Sequence, residues 1–337
     1  MKTLLVLIVT SLFQLFATIS SPSVIPQPPP TLTLPDPTFE SIILPNHSWT
    51  ATLSAQKKMV LAATGDVLLA RFINSKAVTT NDYLFSFKPT QELLSAPQIT
   101  VINLETPILV DCPLSNTGTV FCGSDKHIEG LLYAGVDLVN IANNHSFDFG
   151  QSGFDQTKSL LEEKNLSVVY PSHPAAFNIS NQRFAFLSYN DIPDRTPGGN
   201  KAIDPVKLAD DIKSVRKDSD IVVVLFHWGV EYTTSVTPRQ VSLAHTAIDA
   251  GADLILGNHP HWVQPLEFYQ DKLIVYSHGN FIFDQYWSMP TRFGVVGFYT
   301  YYENKLVDVS FTTVYTDPSG QTVLPQNPPQ LVRMRSL

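Results

Sequence analysis

Seven short runs along this chain are apolar at nearly every position, where half-buried strands would alternate. They cover residues 59–64 (MVLAAT), 99–104 (ITVINL), 136–142 (VDLVNIA), 183–189 (RFAFLSY), 220–226 (DIVVVLF), 252–257 (ADLILG) and 272–277 (KLIVYS). Each is too short for a buried helix and rich in β-branched residues, so each predicts a strand. Residues 151–164, 205–217 and 238–250 carry helical spacing instead. The last of these opens at Pro238 and stops before Gly251, as helix ends do. Strands apolar on both faces, separated by helices, predict sheets covered on both sides, and hence an α/β fold.

The start of the chain has a different pattern. Lys2 precedes an apolar stretch from Leu4 to about Ala17, and small residues follow at Ser20 and Ser21. This predicts a secretory signal over residues 1–20, with an uncleaved N-terminal anchor as the alternative, and a secreted or cell-surface location. Residues 21–50 are proline-rich and predict an extended linker, poorly ordered to about Pro45. From Ala51 to residue 337 the pattern predicts one domain.

Composition narrows the partners. Of 337 residues, 44% are hydrophobic and 15% charged, which suits a sizeable core. The net charge of −8 and the absence of a Lys/Arg cluster argue against nucleic acid. They also set a long-range repulsion against any polyanionic ligand. Cys112 and Cys122 enclose the turn-rich PLSNTGTVF, with no neighbouring Cys or His to complete a tetrahedral metal set. Outside the cytoplasm such a pair predicts a disulfide.

The chemistry collects where the strands stop. Asp66 follows the first run, Glu105 the second, Asn143-Asn144-His145 the third, and His227 the fifth, with Glu231 just beyond. Asn258, His259 and His261 follow the sixth, and His278 and Asn280 the seventh. Open α/β sheets bind ligands at the carboxyl ends of their strands. A set of Asp, Glu, Asn and His without Cys suits Mn, Fe or Zn, as one or two divalent ions. His47, His127, His173 and His245 have no strand-end partners and read as surface or local hydrogen-bonding residues.

These stretches also carry a family resemblance. TGDVLLAR, INLETPI, ANNHSFDFG, FHWGVEY, LGNHPHWVQPLE and YSHGNFIFDQ, spanning about residues 58 to 290, together resemble the CapA family of poly-γ-glutamate capsule biosynthesis proteins. That family is related to the calcineurin-like metallophosphatases. The resemblance implies a four-layer α/β/β/α sandwich with a metal centre at the strand ends. It implies Asp66 as the first aspartate ligand, Glu105 as the bridging carboxylate and Asn144 as the amide ligand. It further implies His227, His259 and His261 as the histidine ligands, and His145 as the catalytic residue that protonates a leaving group.

Departures from the metallophosphatase pattern matter. Leu68 stands where a metal-binding His is expected, and the bridging residue is Glu with no second carboxylate before it. The set Glu105, Asn144, His227 and His259 is therefore expected to fill first, and Asp66, Glu105 and His261 to bind more weakly, with His278 as a candidate replacement ligand. The loop over residues 190–204 holds Arg195 and Lys201, which are candidates to reach a substrate anion. The implied function is a surface protein assisting synthesis, export or attachment of an anionic polymer such as poly-γ-glutamate, alongside membrane-bound polymer synthesis machinery. The alternatives are a secreted metal-dependent phosphoesterase and a non-catalytic polymer-binding relative.

Overall fold

The near-continuous apolar runs build two sheets packed face to face. The computed structural model describes residues 42–43, 46–196 and 202–334. The expected signal, most of the linker, and Lys201 lie outside the described residues.

The strands in chain order are β1 (Lys58–Val67), β2 (Ile99–Leu104), β3 (Ile108–Leu109), β4 (Gly123–Ser124), β5 (Leu138–Asn140), β6 (Ser167–Val169), β7 (Ala175–Ile179) and β8 (Gln182–Asn190). Then come β9 (Ile221–His227), β10 (Leu254–Asn258), β11 (Leu266–Tyr269), β12 (Lys272–Val275), β13 (Asn280–Ile282), β14 (Phe293–Tyr302), β15 (Lys305–Thr316) and β16 (Thr322–Val323). The first sheet runs β16-β15-β14-β1-β2-β5-β6, with β13 also on β1; the second runs β11-β12-β10-β9-β8-β7. The helices are α1 (Arg71–Thr80), α2 (Gln91–Ser95), α3 (His127–Ala134), α4 (Gly150–Glu163), α5 (Pro205–Arg216) and α6 (Pro238–Asp249).

Strand alternation sorts side chains into three apolar layers. In β9, Val223 and Leu225 point into the core between the sheets, while Val222, Val224 and Phe226 meet Leu208, Ile212, Leu243 and Ala247 of α5 and α6. In β1, Leu61 and Ala63 face the second sheet, and Ala62 faces Ile73, Leu131 and Leu161 of the outer helices. That makes the four layers α/β/β/α. Burial on both faces is why these strands tolerate no polar position until their ends. The helix ends follow local chemistry. Thr237 and Gln240 form a capping box before α6, and the Asp204 side chain accepts from Val206 N at the start of α5.

Three expectations need adjustment. The run 136–142 forms a strand only over Leu138–Asn140. The Asn140 Oδ1 accepts from Ala142 N at 2.9 Å and turns the chain out of the sheet. Packing begins ahead of residue 51, since Ile42 is buried in the core between the sheets and His47 Nδ1 lies 2.9 Å from Asp308. The long hairpin β14–β15 was not expected at all. It turns through Glu303 and Asn304, both in the left-handed region (φ 49° and 66°), as a two-residue hairpin demands.

Candidate metal centre

Register places the chemistry. On the first sheet Asp66 lies opposite both Asn280 and Asn103, and Asn103 lies opposite Asn140. On the second, His227 lies opposite Asn190 and Asn258. A polar row therefore crosses the carboxyl ends of both sheets. At Gly65 a Cβ would overlap the carbonyl oxygen of Gly279, so only glycine lets β1 approach close enough to set Asp66 in that row.

Four ligand-type atoms converge at the centre. His227 Nε2 lies 2.7 Å from Asn144 Oδ1, 3.1 Å from His259 Nδ1 and 3.6 Å from Glu105 Oε1. Ligands bound at about 2.0–2.2 Å to one ion sit roughly 3–3.5 Å apart, so this spacing fits a shared cation. Glu105 and His227 are fully buried. Among the described residues, neither Glu105 oxygen has a hydrogen-bond partner. Burial pushes this carboxyl well above the usual range; Asp66, Glu231 and Asp148 add to the shift and Arg71 opposes it. Burial, then the neighbouring His259, His261 and His145, hold the His227 imidazole well below its ordinary value. Burial and His261 bring His259 to about 3, against the opposing pull of Asp66. A buried carboxylate without a donor among the described residues, facing histidines held neutral, is a set of groups that could hold a divalent ion.

The remaining expected residues ring this centre. Asp66 Oδ1 accepts from Asn103 Nδ2 at 2.7 Å, and its Oδ2 accepts from His259 N at 3.2 Å. His261 Nδ1 lies 2.9 Å from Asn280 Oδ1 and 3.2 Å from Asp66 Oδ2, and its Nε2 is 4.0 Å from Glu231 Oε1. Either side of Pro260, His259 (φ 95°) and His261 (φ 58°) both adopt left-handed backbone, which is rare outside Gly and Asn. Strain of this kind costs about 1–3 kcal/mol per residue and concentrates at functional sites.

His145 comes to the same place, its Nε2 3.8 Å from Glu105 Oε1 and its Nδ1 2.9 Å from Asp148 Oδ2. Cys112 and Cys122 are bonded, and Phe121 beside them packs on the His145 ring at 4.2 Å between centroids. The Phe121 N–H donates to Asp148 at 2.7 Å, so one carboxylate holds both the loop and the histidine. Arg195 Nε lies 3.8 Å from Asp148 Oδ1 at the rim.

His278 does not join the cluster. Its ring nitrogens face Gly257 O at 3.1 Å and Tyr299 Oη at 2.8 Å, and burial holds it at about 4. It is a core histidine with both partners supplied, so it does not replace the ligand missing at Leu68. Leu68 itself is buried with Ala70, Phe121 and Phe283.

Asp148 and Arg71 were not singled out from the sequence. Asp148 had a signal, lying three residues past His145. Arg71 is paired with Asp284 and lies over the Phe121 ring (4.9 Å) and the Phe283 ring (5.8 Å), which pack on His145 and His261 respectively. Its Nε is buried and has no hydrogen-bond partner among the described residues, and its backbone is left-handed (φ 47°).

Residues 60–285 match the sequence pattern of the bacterial capsule synthesis protein family PGA_cap. The chain is 28% identical over 253 residues to the capsule biosynthesis protein CapA of Bacillus anthracis, covering 69% of this chain and 61% of that protein. It is 31% identical over 242 residues to the PGA biosynthesis protein CapA of Bacillus subtilis, covering 66% and 63%. The chain thus spans a little under two thirds of the length of these relatives. Among solved structures, TT1561 of Thermus thermophilus aligns with a TM-score of 0.43 and 9% identity, over 71% of this chain and 93% of that one.

Proposed function

The chain belongs to the PGA_cap family of bacterial capsule synthesis proteins, within the metallophosphatase-like superfamily, and on that premise we propose that it is an extracytoplasmic, cation-dependent protein serving the synthesis, export or attachment of a γ-glutamyl polymer. The observation that carries the reading is the buried Glu105 carboxylate, which has no hydrogen-bond donor among the described residues and lies beside His227, itself against His259 and Asn144. Glu105, Asn144, His227 and His259 would hold the principal ion. When bound, a divalent cation would polarise a substrate oxygen and lower the pKa of a coordinated water.

The protein's own groups have assignable tasks. Asp148 fixes the His145 ring through Nδ1, leaving Nε2 to deliver a proton to a leaving group. Arg71 offers a guanidinium to a substrate carboxylate and offsets the acidic balance of the chain at this point. Arg195, on a loop beside Asp148, adds a second cation at the rim. The apolar N-terminus and the Cys112–Cys122 disulfide support a location outside the cytoplasm, in reach of membrane-bound polymer synthesis machinery.

Metal analysis of the purified protein, paired with binding of γ-glutamyl oligomer before and after chelation, tests this. At least one tightly held ion per chain and oligomer binding that vanishes on chelation are expected. Oligomer binding untouched by chelation, or no metal after reconstitution, would overturn it. The His145–Asp148 pair favours a second reading, a metal-dependent phosphoesterase. Turnover of bis(p-nitrophenyl) phosphate that is lost in His145→Ala, without any oligomer binding, would select that one.

A further inference from the structure

Given that reading of the deep site, we propose that a second cation occupies an outer position held by Glu231 and His261 and bordered by His259, whose Nδ1 faces the deep ion, rather than the Asp66, Glu105 and His261 set that family resemblance implies.

The argument starts from the His261 ring. Asn280 Nδ2 donates to Gln285 Oε1 at 3.1 Å and to Thr291 O at 2.7 Å, which fixes the amide and turns Oδ1 toward His261. His261 Nδ1 thus lies between two acceptors, Asn280 Oδ1 at 2.9 Å and Asp66 Oδ2 at 3.2 Å. A nitrogen flanked by two acceptors carries the proton. The lone pair of the neutral ring is then on Nε2, which points outward, away from Asp66. A metal-bound histidine ordinarily donates its other N–H to a carboxylate or amide, and Asp66 and Asn280 supply that partner here.

Glu231 meets this lone pair. Its Oε1 is 4.0 Å from His261 Nε2, and one oxygen of Glu231 and one ring nitrogen each of His259 and His261 lie within 4.8 Å of one another. Two ligand bonds of about 2 Å bridge such a gap with a small closing movement. Glu231 has room for it, its side chain being 41% exposed. The backbone holds the carboxylate in reach: Tyr232 N donates to Pro260 O at 2.9 Å, fastening the loop after β9 to the turn that bears His259 and His261. Tyr232 is left-handed (φ 61°), as are both histidines. The apolar packing around Leu68 excludes a ligand from the inner side, so an outer carboxylate takes over that role.

Manganese titration with stoichiometry by mass spectrometry tests this on the full chain, with Glu303→Gln as a surface control. Wild type and control should bind two ions, while Glu231→Gln should keep the deep ion and lose affinity for the other by ~10-fold or more. Glu231→Gln retaining two ions at wild-type affinity overturns the outer position. A wild type that binds one ion also overturns it, yet leaves the proposed function standing. A wild type that binds none overturns both. Circular dichroism of Glu231→Gln should match wild type, because the side chain is half-exposed and carries no core packing.

Discussion

Glu267 and Glu105 are both buried beside histidines, and their surroundings could hardly differ more. Glu267, at 1% exposure, accepts from the Tyr276 hydroxyl at 2.7 Å and lies 2.7 Å from His245 Nε2, whose ring stacks on Tyr269 at 3.7 Å. Glu105, fully buried, faces three histidines and an amide at the strand ends yet accepts no hydrogen bond among the described residues. A closed network is complete within the protein and stabilises it. An open one leaves a charge that only an outside partner can compensate. The histidines divide in the same way, with His278 satisfied on both nitrogens and His227 crowded by ligand atoms.

The largest effect should come from breaking the closed network. Glu267→Ala strips partners from Tyr276 and His245 and should destabilise the fold by about 3–5 kcal/mol, read by urea unfolding, with bound metal unchanged. A loss of metal in that variant would erase the distinction drawn here. Glu105→Gln should do the reverse. Metal affinity should fall ~100-fold, about 2.7 kcal/mol, while the metal-free fold at neutral pH becomes no less stable. The sign follows from burial: a carboxyl raised above its ordinary range favours the fold only while protonated, and that contribution is lost as pH rises. At neutral pH without a cation the fold must either bury the charge or hold a proton that the unfolded chain releases, and Gln removes that cost.

The loop that leans on the open site comes next. Replacing Cys112 and Cys122 by Ser should cost about 2–3 kcal/mol for so short a closure, measured by thermal unfolding. It should also loosen Phe121 against His145, visible as a broadened His145 ring resonance. The smallest effect concerns His278. Burial holds it at about 4 against 6.5, so its contribution is complete above pH 6.5 and drains away as pH falls toward 4. His278→Gln should therefore flatten the acid limb by about 2 kcal/mol at pH 5, with or without metal. An unchanged acid limb would place its titration elsewhere.

Much of this was legible in the sequence because parallel strands buried on both faces leave an unbroken apolar run. Residues 99–104 mark β2 to the residue, and 183–189, 220–226 and 252–257 mark β8, β9 and β10 within two. Asp66, Glu105, Asn144, His145, His227, His259 and His261 were visible because polar residues at such strand ends are abrupt. The hairpin β14–β15 was less visible, since Glu303–Asn304 supplies left-handed geometry without the Asn-Gly signature. His278 misled because sequence order cannot tell which way a strand-end ring turns; Tyr299 decides that from another strand. Arg71 escaped because its role arises from Phe121, Phe283 and Asp284, all distant in the chain.

The pairing of β1 has a consequence for how the molecule is made. Lys58 lies opposite Tyr302 and Ala63 opposite Gly297, so a central strand near the start of the domain waits for a partner some 240 residues later. Contacts that distant close late and slow folding. A ribosome-bound fragment lacking the last quarter of the chain leaves one edge of β1 unpaired and Asp66 without its Asn280 neighbour. Were the chain exported from its N-terminus, as proposed above, the same delay would keep it pliable until most of it had crossed, and the carboxyl end of the first sheet would assemble only on the far side.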